Sequence, residues 1–168
     1  MAEVRAARED DVPSIVGICT RAYAATYPQI LPAGYLDRMI AEFYTSEQVA
    51  KRIAPAPPDW LGYQVAEQDG RVLGTAAGGL TAPGVGELFV IYLEPSERGQ
   101  GLGSLLLDRI TEQIRELGAT EMWVAAVVGN ELALPFYEAR GFTRAGKRRA
   151  AGSREEENAW SWLLHRPI

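Results

Sequence analysis

Along the stretch LGSLLLDRITEQIREL, apolar positions fall at Leu102, Leu105, Leu106, Ile110, Ile114 and Leu117, while Asp108, Arg109, Glu112 and Arg115 fall on the other side. Spacings of three and four predict an amphipathic helix, the clearest in the chain. A second helical pattern runs through Val12, Ile15, Val16, Cys19, Ala22 and Tyr23, with Asp10 or Asp11 as its N-cap and Pro13 near its first turn. Pro28 to Gly34 breaks that helix, and shorter helices are expected over Tyr35 to Glu42 and Ser46 to Ala54 before APAPPDW interrupts again. Ahead of them, Glu3 to Ala7 reads as a short strand. From Leu61 the texture changes: LGYQVAEQ and RVLGTAAGGL, joined at Asp69-Gly70, predict a β-hairpin. Gly86 to Leu93 is almost wholly apolar, as expected of a strand covered on both faces. EMWVAAVV predicts a strand. NELALPFYEARGF predicts a short helix closed by Gly141 that starts late or bends around Pro135. Two last strands are expected over Phe142 to Arg149 and Asn158 to Leu164. Strands alternating with helices after a helix-rich start imply an α/β or α+β fold, one three-layer domain over residues 1–168.

Composition narrows the function. With 168 residues, 47% hydrophobic and 23% charged, the chain has the balance of a soluble domain built on one core. A formal net charge of -5 offers no footprint for a phosphate backbone, so nucleic acid is not expected as a partner, while a small cationic substrate stays compatible. One cysteine, Cys19, and one histidine, His165, make neither a disulfide framework nor a Cys/His metal site, and Cys19 is expected in the core. The N-terminus mixes charges and no apolar run reaches bilayer length, so a cytoplasmic protein without a membrane partner is expected.

The candidate chemistry lies where Gly99, Gly101 and Gly103 follow the apolar strand and open the best helix. Unpaired N–H groups and the positive end of the helix dipole favour an anion there, and missing Cβ atoms let it approach. The alternative is a tight turn whose glycines supply positive φ. A P-loop would end in Gly-Lys-Ser/Thr, but Gly103 is followed by Ser104 and Leu105; a dinucleotide fingerprint would place its third glycine one residue later.

Arg98-Gly99-Gln100-Gly101-Leu102-Gly103 resembles the Arg/Gln-x-x-Gly-x-Gly/Ala loop of the GCN5-related N-acetyltransferase family. NELALPFYEARGF is similar to that family's Asn-x-x-Ala-x-x-Phe-Tyr-x-x-x-Gly-Phe segment, in the matching order. The resemblance covers Glu87 to Phe142 and, more loosely, the N-terminal VRAAREDDVPSIV. It implies a mixed, splayed sheet with helices on both faces, and acetyl-CoA bound in a cleft beside the fourth and fifth strands, without a metal. Amides from Arg98 through Gly99, Gln100, Gly101, Leu102, Gly103 and Ser104 would bind the pyrophosphate, with the Ser104 hydroxyl adding a bond. The Arg98 guanidinium would either touch phosphate or point to solvent. Ile91 and Leu93 are assigned to the coenzyme, an amide near Leu93 polarising the thioester carbonyl. Asn130 is an N-cap, a coenzyme contact, or both. Tyr137, in the position of the family's general acid, would protonate the departing thiolate or donate a hydrogen bond to it; the alternative is an ordinary aromatic beside Phe136.

The general base is less legible. By two-residue alternation Glu87 shares a strand face with Phe89, Ile91 and Leu93, which would aim its carboxylate into the cleft; a solvent-facing charge is the alternative. The family branch acting on ribosomal-protein N-termini has a glutamate where this chain has Ala125. Tyr27, Ile30 and Leu31 are candidates for acceptor recognition, and Asp37, Glu42 and Glu47 would suit a polycation or are simply a solvated face. The N-terminal region and the tail GSREEENAWSWLL bear a faint similarity to bacterial members that acetylate polyamines. The implied function is acetyl transfer to a primary amine of a small molecule or peptide in a ternary complex, with a homodimer as one expected assembly. The other readings are a catalytically silent acyl-CoA-binding module and a structural domain.

Overall fold

The central helix forms where its apolar stripe meets a sheet with little side-chain bulk. In the computed structural model, which describes residues 1–168, α4 (Leu102–Glu116) buries Leu106, Ile110 and Ile114 completely. Gly78 and Gly86 let it come close, because a Cβ on either would run into Ile110 or Ile114. Burying each such side chain is worth about 1.5–3 kcal/mol. Two positions of the expected stripe, Leu105 and Leu117, stay exposed, and Leu107 takes a core place instead.

The sheet is built from β1 (Glu3–Ala6), β2 (Gln64–Gln68), β3 (Arg71–Ala82), β4 (Val85–Leu93), β5 (Glu121–Val127), β6 (Thr143–Arg149) and β7 (Trp160–Pro167). Their order is β1-β2-β3-β4-β5-β7-β6, with β4 and β5 parallel and every other neighbouring pair antiparallel. Asp69 and Gly70 both take positive φ, which matches the β2–β3 turn to the twist of its strands. On one face lie α4 and α5 (Ala133–Glu138); on the other lie α1 (Val12–Thr26), α2 (Ala33–Phe43) and α3 (Ser46–Lys51). This is the three-layer mixed α/β architecture expected, with Cys19 fully buried on the inner side of α1.

Asp11 stands at the N-cap position of α1 without capping it. Its carboxylate instead takes the Arg8 N–H at 2.7 Å and both terminal nitrogens of Arg5, at 2.7 and 3.0 Å, tying β1 to the helix. Pro135 sits in the first turn of α5, which starts late.

Two irregularities in β4 prepare the site. Pairing with β5 runs from Val85↔Glu121 to Leu88↔Val124 and stops, while β4 continues to Leu93 along β3. The strands splay beyond Leu88. Opposite β3, Gly78 pairs with Leu88 and Ala77 with Val90, so Phe89 is the extra residue of a β-bulge. The bulge overturns the expected alternation. Ile91 and Leu93 pack with Leu88 on the α4 side, whereas Val90 and Tyr92 join the cluster under α1. Glu87 therefore does not share a face with Ile91 and Leu93. Nor is β4 covered on both faces, since Phe89 is 39% exposed.

Candidate active site

The splay opens a cavity of about 430 Å³, walled by β4 from Leu88 to Leu93, by Val124 to Ala126 of β5, and by the loop before α4. Glu94 donates its N–H to Leu73 O at 2.8 Å, which makes that pair a hydrogen-bonded one in the β3–β4 ladder. Alternate residues of an antiparallel strand turn their backbone groups to the same side, so Ile91 and Leu93 point theirs away from β3 and into the splay. Both were expected at the coenzyme on family resemblance, and both line this cavity.

At one end, none of the N–H groups of residues 98 to 104 bonds to another backbone group. Gly99 and Gly101 have φ of +82° and +85°, and a Cβ on either would meet nothing within 4 Å. The conformation requires glycine, and the space beside it is open: the turn and the anion cradle are one structure. Leu102 and Gln100 belong to the same run, Leu102 being buried as the first residue of α4. Gly103 is different. It lies within α4 with ordinary φ, and a Cβ there would stand 3.0 Å from the Phe136 ring, so its small size serves helix packing as well as lining the cavity.

The side chains around the cradle are held by neighbouring elements. Arg98 Nη2 donates to Thr26 Oγ1 at 2.9 Å, fastening the loop to the end of α1, and the half-buried Arg98 lines the cavity. Ser104 Oγ accepts from Arg140 Nε at 3.0 Å and from its Nη2, so its lone pairs are engaged and only its proton is free for a ligand. Arg140 escaped the sequence reading. Its guanidinium lies 3.8 Å over the Phe136 ring, donates to Phe136 O at 2.8 Å and lines the cavity as a fixed positive charge. The i, i+4 spacing from Phe136 was a legible signal for that contact.

Asn130 caps the turn that leads into α5, two residues before the N-cap position Leu132, its Oδ1 accepting from Leu132 N at 3.3 Å and Ala133 N at 3.2 Å, and it lines the cavity as well. Tyr137 is buried between Phe136 and Phe142, with ring centroids 5.3 and 5.5 Å away. Burial pushes its phenol above the ordinary value of 10, so the hydroxyl stays protonated and available as a donor.

A second cavity, of about 500 Å³, adjoins the first and shares with it Tyr27, Leu88, Phe89, Val90, Tyr92 and Ala125. Glu87 lines this one and not the first. Its side chain is 14% exposed and faces Arg148 Nη2 at 3.5 Å. Burial raises its carboxyl above 4.5, with the nearby Arg148 cation pulling the other way. Of the three candidates for acceptor recognition, Tyr27 and Leu31 line the second cavity, while Ile30 packs beside Gly129. Asp37, Glu42 and Glu47 are exposed and form no part of its wall. Among the His, Cys, Asp and Glu side chains no group of three or more is arranged to hold a metal, and no helix is long and apolar enough to cross a membrane.

The sequence model of the acetyltransferase (GNAT) family matches residues 20–142, which include the splay, the cradle and α5. The chain belongs to the GNAT acetyltransferase family. GNAT relatives include the mycothiol acetyltransferase of Thermomonospora curvata, 33% identical over 101 residues, covering 60% of this chain and 34% of the relative. The ribosomal protein bS18-alanine N-acetyltransferase of Escherichia coli K12 is 34% identical over 62 residues, 37% of this chain and 42% of that one. The chain thus spans about a third of the mycothiol enzymes it matches. The GNAT fold is shared with the PaiA N-acetyltransferase of Thermoplasma acidophilum, solved in complex with coenzyme A, at a TM-score of 0.83 and 20% identity, covering 100% of this chain and 99% of that one.

Proposed function

We propose that this protein is an acetyl-CoA-dependent N-acetyltransferase that acetylates a primary amine of a small molecule or peptide by direct attack in a ternary complex. One observation carries the reading: the run of unbonded amides over residues 98–104 opens into the same splay as the backbone groups of Ile91 and Leu93. That is an anion cradle joined to a polar backbone edge inside an apolar cleft. Acetyl-CoA supplies an activated acyl group on a thioester and a pyrophosphate to be held.

The amides of Gly99 to Ser104 hold the pyrophosphate, with Arg140 adding positive charge nearby. The Leu93 N–H donates to the thioester carbonyl oxygen and stabilises the negative charge that develops there as the amine attacks. The Tyr137 hydroxyl donates to the thiolate as it leaves. A phenol raised by burial is a poor acid toward a solvated thiolate, but the thiolate leaves into the same apolar site, where its own basicity rises. Glu87 reaches the amine from the second cavity, directly or through one water, and its raised pKa brings it nearer the strength a base needs at neutral pH.

Calorimetry with acetyl-CoA, followed by thiol release against a panel of amino acids, polyamines, aminoglycosides and short peptides, tests the reading. Coenzyme binding together with amine-dependent thiol release is expected. A folded protein that does not bind acetyl-CoA would end it.

A further inference from the structure

We propose that the acceptor carries a carboxylate beside the amine that is acetylated, and that Arg52 is the residue that recognises it. The proposal rests on the acetyltransferase reading and specifies its acceptor.

Three side chains with formal charge line the second cavity: Arg52, Glu87 and Arg148. Glu87 and Arg148 face each other, so their charges offset. Arg52 makes no ion pair, and its Nη1 is shielded from solvent without a hydrogen-bond acceptor. Its guanidinium lies over Phe43, the Cζ 5.1 Å from the ring centroid, which fixes its position without satisfying its donors. A guanidinium is always charged and presents a planar fork of N–H groups matched to a carboxylate. Left unpaired against an apolar wall it is costly, and an incoming carboxylate removes that cost.

The rest of the wall favours the same ligand. Tyr23, Tyr44 and Tyr63 surround the cavity, and burial pushes their phenols up, so they add no negative charge. With Glu87 offset by Arg148, the lining carries one net positive charge, the reverse of what a polycation requires. The acidic residues that would have suited a polyamine lie outside on exposed helix surface, where Glu47 pairs with Lys51 at 3.2 Å. The acceptor that fits is a zwitterion: amine at the Phe89 to Tyr92 wall shared with the coenzyme side, carboxylate at Arg52, and an apolar or aromatic body between the tyrosines. An apolar amino acid has this form.

Matched acceptors test the assignment: phenylalanine against phenylalaninamide, and leucine against leucinamide, scored by thiol release from acetyl-CoA. The amide's amine is less basic, so near neutral pH more of it is unprotonated and ready to attack, and a preference for the acid must come from the protein. We expect wild type to prefer the carboxylate by tenfold or more in kcat/KM. Arg52→Gln should abolish the preference while leaving acetyl-CoA affinity unchanged, and Arg52→Lys should retain part of it. Equal use of acid and amide by wild type, or a preference that survives Arg52→Gln, overturns the assignment and leaves the acetyltransferase intact. Transfer to neither member of the pairs by a protein that binds acetyl-CoA also overturns it. Failure of wild type to bind acetyl-CoA would remove the enzymatic reading first and the assignment with it.

Discussion

Tyr137 and Glu87 sit on opposite sides of the reacting bond in the proposed mechanism, and burial raises the pKa of both for different ends. In Tyr137 it keeps a donor protonated; in Glu87 it strengthens a base. Tyr137→Phe removes one oxygen and leaves the packing against Phe136 and Phe142, so coenzyme affinity should hold while single-turnover acetyl transfer slows by about tenfold to a thousandfold, within or below the range for general acids. A normal transfer rate would take Tyr137 out of the chemistry. Glu87→Gln should lose most turnover at lower pH, where the amine arrives protonated, and recover as alkaline pH supplies free amine; a uniform small loss would make Glu87 structural. Stability gives an independent readout. With its folded pKa raised above 4.5, Glu87 binds more proton in the native state, so its contribution falls as pH rises from 4.5 through that raised value. Wild type should therefore lose stability relative to Glu87→Gln on going from acid to neutral pH, measured by urea unfolding.

Among the elements, α4 and α5 were legible because their signals are local: a 3.6-residue stripe, a glycine entrance, an asparagine three residues ahead of a helix. The bulge in β4 was not. It arises from pairing with Gly78 across the sheet, and one unopposed residue, Phe89, reversed the inferred facing of everything from Val90 onward relative to Glu87. Arg52 was illegible for the same reason: only tertiary packing brings α3, β4 and β6 around one cavity. Asn130 shows where local reading succeeds, since its cap bonds are present in the structure. Asn130→Ala should cost about 1 kcal/mol of stability, the usual value of a lost N-cap. Asn130→Asp should restore the cap; if it also restores coenzyme affinity, the residue acts through the position of α5. Affinity that stays low in the capped variant would instead assign the amide group to the coenzyme.

For the whole molecule, the cradle joins α1, β4, α4 and α5 through Arg98 with Thr26 and Arg140 with Ser104. A ligand seated there binds the folded state alone. At a hundredfold excess over Kd it should add about 2.7 kcal/mol, which for a domain of this size is a rise in Tm of roughly 5–10 °C. Gly101→Val, which forces a β-branched residue into a left-handed backbone, should abolish the shift; an undiminished shift would place the anion elsewhere. The two cavities extend toward different elements, one to α4 and α5, the other to α2, the end of α3 and β6, and meet along β4 from Leu88 to Tyr92, with Tyr27 and Ala125 beside it. On the proposed reading, neither reactant has to leave before the other arrives. Double-reciprocal plots should accordingly intersect rather than run parallel, and free coenzyme A released as product should compete with acetyl-CoA but not with the amine.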